Sequence, residues 1–220
     1  LRAGWNTVLA KVVNGGGGHG LYLRLSKQPR HVAPAQAETY GKKGEWHQAI
    51  AILSPALEQW PDDVRLLVVR ARSHHRLGQW DAAIADWSRA LELKPGEVEL
   101  RTQRAHAYQD SKQWDLALAD WTQLLKNGEN PWYLRMQGSC LDELGRWEEA
   151  LSVHNRAVER EQESPWAMLH FRGVHFARRG AWRKATDDLS LALDTLPADR
   201  DWYIARDLAL AALMAGDGDA

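Results

Sequence analysis

One cysteine, Cys140, stands among 220 residues, so the chain can hold neither an internal disulfide framework nor a cysteine-based zinc site. A lone thiol fits a reducing compartment. No apolar run approaches the roughly 20 residues that a membrane helix requires. An excess of one charge is also missing. The 28 Lys and Arg against 29 Asp and Glu leave a net charge of −1, which argues against bulk affinity for nucleic acid or an anionic membrane. Phenylalanine is scarce, with 2 residues, yet there are 12 tryptophans. The first residue is Leu1 rather than Met, so no leader peptide can be read, and a piece of a longer protein is expected.

The tryptophans expose a period. Gly44-Glu-Trp46-His-Gln-Ala49 returns as Gly78-Gln-Trp80-Asp-Ala-Ala83, Lys112-Gln-Trp114-Asp-Leu-Ala117, Gly145-Arg-Trp147-Glu-Glu-Ala150 and Gly180-Ala-Trp182-Arg-Lys-Ala185. The Trp-to-Trp intervals are 34, 34, 33 and 35 residues. Pro61, Pro95 and Pro197 each follow one of these alanines at a fixed distance. Inside the period the spacing is helical: Trp80, Ala83, Ile84, Trp87, Ala90 and Leu91 form one apolar stripe. A second amphipathic stretch, such as Val64–Leu77, precedes each Gly-x-Trp. Asn130-Pro131, Ser164-Pro165 and Asp62-Asp63 offer helix starts. The glycines supply the turn between paired helices, and Lys112 must make that turn without one.

This 34-residue helix–turn–helix unit, its Ala-x3-aromatic step (Ala83 to Trp87, Ala117 to Trp121) and its closing proline resemble the tetratricopeptide repeat. The resemblance implies an all-α fold, a right-handed α-solenoid of helix-turn-helix repeats with a short N-terminal β-hairpin stub. Five repeats are expected at about 33–62, 64–96, 98–129, 131–164 and 166–197, with a solvating helix over 199–215. Repeat packing falls to Trp46, Ala49, Trp80, Ala83, Trp114, Ala117, Trp147, Ala150, Trp182 and Ala185. The aromatic step becomes Leu53, His154 and Leu189 in the remaining repeats.

Comparison of the repeats exposes a covariation. Arg70, Arg104 and Arg172 each precede an aspartate, Asp86, Asp120 and Asp188, by 16 residues, whereas Gln36 and Gln137 precede Ile52 and Val153 at that spacing. Three ion pairs between the two helices of one repeat are expected, each contributing about 1 kcal/mol or less if solvated.

The first residues have another character. Thr7–Val13 is rich in β-branched residues, Asn14–Gly18 is a turn, and Leu21, Leu23 and Leu25 alternate with polar neighbours, so 1–26 is expected to form a β-hairpin, with 27–32 as linker. Gly4-Trp-Asn-Thr-Val-Leu-Ala-Lys-Val12 with Gly20-Leu-Tyr-Leu-Arg-Leu25 resembles the closing strands of bacterial galactose-binding-like β-sandwich modules. That implies a stub of an upstream domain.

In tetratricopeptide proteins the first helices line the partner groove. The resemblance places Arg65, Arg72, His75, Arg76, His106, Gln109, Arg135, Asp142, His170 and Arg178 on that wall, which is biased basic and suits an acidic or carboxylate-ended peptide. The Lys/Asn set of chaperone-tail-binding relatives is missing, since Val68, Thr102, Arg72 and His106 fall at those places. His74, His75 and His106 lack a carboxylate or Cys at ligand spacing, so no metal is expected. Cys140 reads as a buried, inert thiol. Gly15–Gly18 lacks the Lys-Ser/Thr of a phosphate loop. The expected function is a non-catalytic protein–protein interaction scaffold, with no cofactor, no nucleic acid and no membrane. Its partner is a protein, a peptide or another domain of the same chain. The alternative is an accessory region of a large bacterial multidomain enzyme, such as a serine/threonine kinase, or of a carbohydrate-associated protein.

Overall fold

The computed structural model describes residues 5–15, 18–27, 32–161, 163–196 and 202–216. Strands β1 (Trp5–Gly15) and β2 (Gly18–Lys27) pair antiparallel from Trp5 opposite Lys27 to Gly15 opposite Gly18, with a register shift between Trp5 and Thr7. Gly16 and Gly17 of the expected turn, and 28–31 of the expected linker, lie outside the described residues. Lys27 and Val32, expected in the linker, end β2 and open α1 instead.

Eleven helices follow among the described residues: α1 (Val32–Lys42), α2 (Trp46–Gln59), α3 (Val64–Arg76), α4 (Trp80–Leu93), α5 (Val98–Asp110), α6 (Trp114–Leu125), α7 (Pro131–Glu143), α8 (Trp147–Arg160), α9 (Trp166–Arg178), α10 (Trp182–Asp194) and α11 (Trp202–Gly216). They form helix-turn-helix repeats, an α-solenoid arrangement. Two compact units divide the chain, Leu1–Ala107 and Tyr108–Ala220, with the division inside α5. Pro197, expected to close the fifth repeat, lies outside the described residues.

Each paired-helix turn has one hydrogen-bonding plan. In α3, the Gly78 N–H donates to His75 O at 3.0 Å and the Gln79 N–H to His74 O at 2.9 Å. The same two bonds recur at Gly44/Glu45, Lys112/Gln113, Gly145/Arg146 and Gly180/Ala181. This helix ending requires a left-handed residue, which glycine adopts without a Cβ clash. The four glycines have φ of 76°, 70°, 72° and 70°, and Lys112 takes φ 60°.

The helix starts vary more. Asp63 caps α3 by accepting from the N–H groups of Arg65 at 2.9 Å and Leu66 at 3.3 Å, and Asn130 caps α7 through Trp132 and Tyr133. Ser164 does not cap α9. Pro165 occupies the cap position there, leaving Ser164 too far upstream to reach the first turn.

Small residues on the first helix meet large ones on the second. Ala37, Ala71 and Ala105 are buried on first helices, and the second helices bury Ala49, Ala83, Ala117, Ala150 and Ala185 one turn before Leu53, Trp87, Trp121, His154 and Leu189. A Cβ on Gly138 would stand 2.5 Å from His154 Cε1, and one on Gly173 2.8 Å from Leu189 Cγ, so glycine there is a packing requirement. The unit-1 core runs from Ala33 through Leu66 and Trp87 to Leu100. Unit 2 has one cluster around Leu134, Leu141 and Val153, and another around Leu169, Leu189 and Ile204 that includes α11.

Candidate partner-binding surface

The expected groove residues separate by what they touch. In unit 1, Arg65, Arg72 and Arg76 are exposed on α3. Their spacing of seven and four residues keeps them on one face of the helix. Arg72 also borders a cleft lined by Ala37, Glu38, Gly41, Lys42, Trp46, Val69 and Ser73, where α1, the start of α2 and α3 converge. Gly41 lets the Trp46 ring pack there, since a Cβ would lie 2.7 Å from Trp46 Cζ3. The cleft carries two cations against one carboxylate, Glu38. His75 is only half-exposed: Trp80 and Trp87 meet its ring edge-on at 5.0 and 5.4 Å. His106 is likewise half-buried.

In unit 2 most of the expected wall residues have internal partners. The Arg135 guanidinium lies over the Phe171 ring at 4.2 Å and the Trp132 ring at 5.6 Å, a cation–π arrangement. Gln109 accepts from Trp121 Nε1 at 3.3 Å. His170 donates through Nε2 to Asp207 of α11 at 3.0 Å, and Arg178 binds Glu143 at 2.7 Å. Asp142 does not line a wall. It is 7% exposed, and its oxygens accept from His154 Nε2 at 2.9 Å and His175 Nδ1 at 2.6 Å. It occupies the register of Gln109 in the preceding repeat, a position that points at the second helix of its own repeat rather than at solvent. Burial alone would push the Asp142 carboxyl up, but the two imidazole hydrogen bonds hold it below its usual value.

Two of the expected Arg–Asp pairs meet in bidentate geometry. Arg70 Nε and Nη2 donate to the two Asp86 oxygens at 2.7 Å each, and Arg172 does the same to Asp188 at 2.7 and 2.8 Å. Hydrogen bonding to Asp188 holds the Arg172 guanidinium above its ordinary value. Arg104 and Asp120 belong to different units, and Arg104 donates to Ser88 Oγ at 3.1 Å. The five repeat tryptophans, Trp46, Trp80, Trp114, Trp147 and Trp182, are half-buried at the starts of second helices. Trp132 stands edge-on to Trp121 at 5.5 Å, and Trp166 joins the cluster of α9 and α10. The Trp202 side chain lies outside the described residues.

Cys140 is fully buried, and desolvation pushes its thiol up to about 12. Among the described residues, Asp142, His154 and His175 are the one group with the ligand atoms and spacing of a metal site. The sequence held two signals for it. His154 stands where two other repeats carry Trp, and His175 stands where the preceding repeats carry Ser73, Ala107 and Cys140.

The tetratricopeptide repeat profile matches residues 35–98 and 102–165, more than half of the chain, and the protein belongs to that family. Solved structures share the fold. A tetratricopeptide repeat protein from Parabacteroides merdae is 19% identical with a TM-score of 0.73, over 85% of this chain and 73% of that one. MamA residues 41 to the end from Desulfovibrio magneticus is 15% identical with a TM-score of 0.67, over 76% and 94%. YrrB, described as a TPR protein with an unusual peptide-binding site, is 20% identical with a TM-score of 0.63, over 84% and 90%. No curated protein sequence matches the chain.

Proposed function

We propose that the chain is a non-catalytic interaction scaffold that docks an acidic segment against the first helices of its repeats. The segment belongs to a partner protein or to another domain of a longer chain. The cationic cleft of unit 1 carries this reading: Lys42 and Arg72 rim a hollow floored by Ala37, Val69 and Trp46, and Arg65 and Arg76 extend the positive face along α3. An apolar floor supplies contact area, while the cations favour an acidic occupant and repel a basic one. Membership of the family and the peptide-binding description of YrrB support the same class of function.

The test is an array of acidic, neutral and basic peptides probed with the full chain and with an R72E/R76E variant checked for folding by circular dichroism. Acidic peptides should be retained, and R72E/R76E should weaken them by more than about tenfold, since like-charge contacts at an interface cost several kcal/mol. Retention that ignores peptide charge, or that survives R72E/R76E unchanged, overturns the reading.

A further inference from the structure

Three successive helices of unit 2 each send one polar side chain to a single buried point. Asp142 comes from α7, His154 from α8 and His175 from α9, and one ligand atom from each lies within 4.8 Å of the others. All three side chains are nearly sealed, at 8%, 1% and 3% exposure. We infer that this point is a binding site for a divalent transition-metal ion of the Zn2+ class, held by an Asp142 oxygen, His154 Nε2 and His175 Nδ1.

Charge balance is the first argument. Asp86 and Asp188, 5% and 7% exposed, each receive a bidentate guanidinium. Asp142 is buried to the same degree, yet among the described residues its hydrogen bonds go only to two imidazoles. An imidazole brings positive charge only when it is protonated, so Asp142 lacks the permanent cation that the other two buried aspartates receive, and a carboxylate taken out of water needs compensating charge as well as hydrogen bonds. A divalent ion supplies that charge.

Donor chemistry and space are the second argument. Two imidazole nitrogens and one carboxylate oxygen form a ligand set suited to zinc, with water completing the tetrahedron. Zinc bonds of about 2.1 Å put neighbouring ligand atoms about 3.4 Å apart. The hydrogen bonds now present use different oxygens, His154 Nε2 to one at 2.9 Å and His175 Nδ1 to the other at 2.6 Å, and one ligand atom from each residue lies within 4.8 Å of the others, so an entering ion need draw these atoms together by at most about 1.4 Å. Gly138 leaves the His154 ring its place. The proton balance is simple: each ligating nitrogen gives up its N–H, which a neutral imidazole re-forms on its other ring nitrogen and an imidazolium releases to solvent. Bound there, the ion would cross-link the fourth and fifth repeats through α7, α8 and α9.

The test uses the tag-free full chain stripped of metal. Zinc is titrated by calorimetry and Co2+ by visible absorption, and Tm is followed against zinc concentration. One zinc per chain should bind, Tm should climb with free zinc by mass action, and Co2+ should develop the intense bands of four-coordination. H154Q and H175Q should each weaken zinc by at least the roughly 10–100-fold that loss of even an outer-shell partner costs, while the exposed-site variant H47Q should not. If H154Q fails to fold, H175Q decides. Absence of saturable binding at one zinc per chain leaves only a hydrogen-bonded clasp and overturns the inference. Binding that survives H175Q does the same, because the ion would then sit elsewhere.

Discussion

Lys112 carries the backbone tension that four glycines avoid at the same turn. Its φ of 60° is sterically costly for an L-residue, roughly 1–2 kcal/mol, whereas glycine adopts it freely but loses more conformational entropy on folding. K112G is expected to stabilise the fold by about 0.5–1 kcal/mol, read as an increased urea midpoint with an unchanged slope. An unchanged or lower midpoint would show that the Lys112 side chain contributes more than its backbone costs. The lysine was readable as an exception because its neighbours in register are glycine. The demand for φ near 60° at that place is a local property of the helix ending, shared by every repeat. Asp142 is the contrary case: nothing in its own neighbourhood of sequence marks it as buried.

Paired helices are held in register by side chains that bridge them. The Arg70–Asp86 pair is more enclosed than the solvated pair expected from spacing, with exposures of 23% and 7%. Removing one partner strands a buried charge, so R70M is expected to cost about 2–3 kcal/mol. R70M/D86L should recover part of that loss, which a double-mutant cycle by urea denaturation would read. Additive single losses would mean that the pair does not couple α3 to α4. A second bridge, His170 to Asp207, ties α11 to α9. Burial alone would raise the Asp207 carboxyl, but hydrogen bonds from His170 and Arg206 lower it. A lowered folded value means that this contribution is full above the ordinary aspartate range near about 3.9 and is lost as pH falls through the folded value below it. D207N should therefore lower Tm at neutral pH and converge with the unmodified chain in acid. An equal deficit at every pH would assign the loss to packing instead. Arg172 and Arg178 of α9 and Arg206 of α11 each bind a carboxylate, whereas Arg65, Arg72 and Arg76 stand exposed on α3.

At the scale of the whole molecule, net charge says little about binding. A chain at −1 still presents Arg65, Arg72 and Arg76 together on one helix face, with Lys42 near Arg72 at the cleft. Capture of an acidic peptide should weaken as ionic strength rises from 0.05 to about 0.5 M, because the Debye length shrinks below the spacing of exposed charges. Surface plasmon resonance across a salt series reads this directly. Affinity independent of salt would favour an occupant held by the apolar floor alone. No described helix is long and apolar enough to cross a membrane.

The period, the turns, the buried alanine column and the Arg–Asp covariation were all readable from the chain alone. Each depends on contacts within one repeat, and five copies make the pattern visible. Tertiary structure decided which first-helix residues stay open. Asp142 and Arg72 both looked like wall residues by helical spacing, and only packing separates them. Asp142 meets one histidine 12 residues away and another 33 away, whereas Arg72 meets solvent at the cleft. Helical periodicity assigns a residue to a face. Which neighbouring helix covers that face is a through-space choice, set by departures from the repeat such as Gly138, His154 and His175.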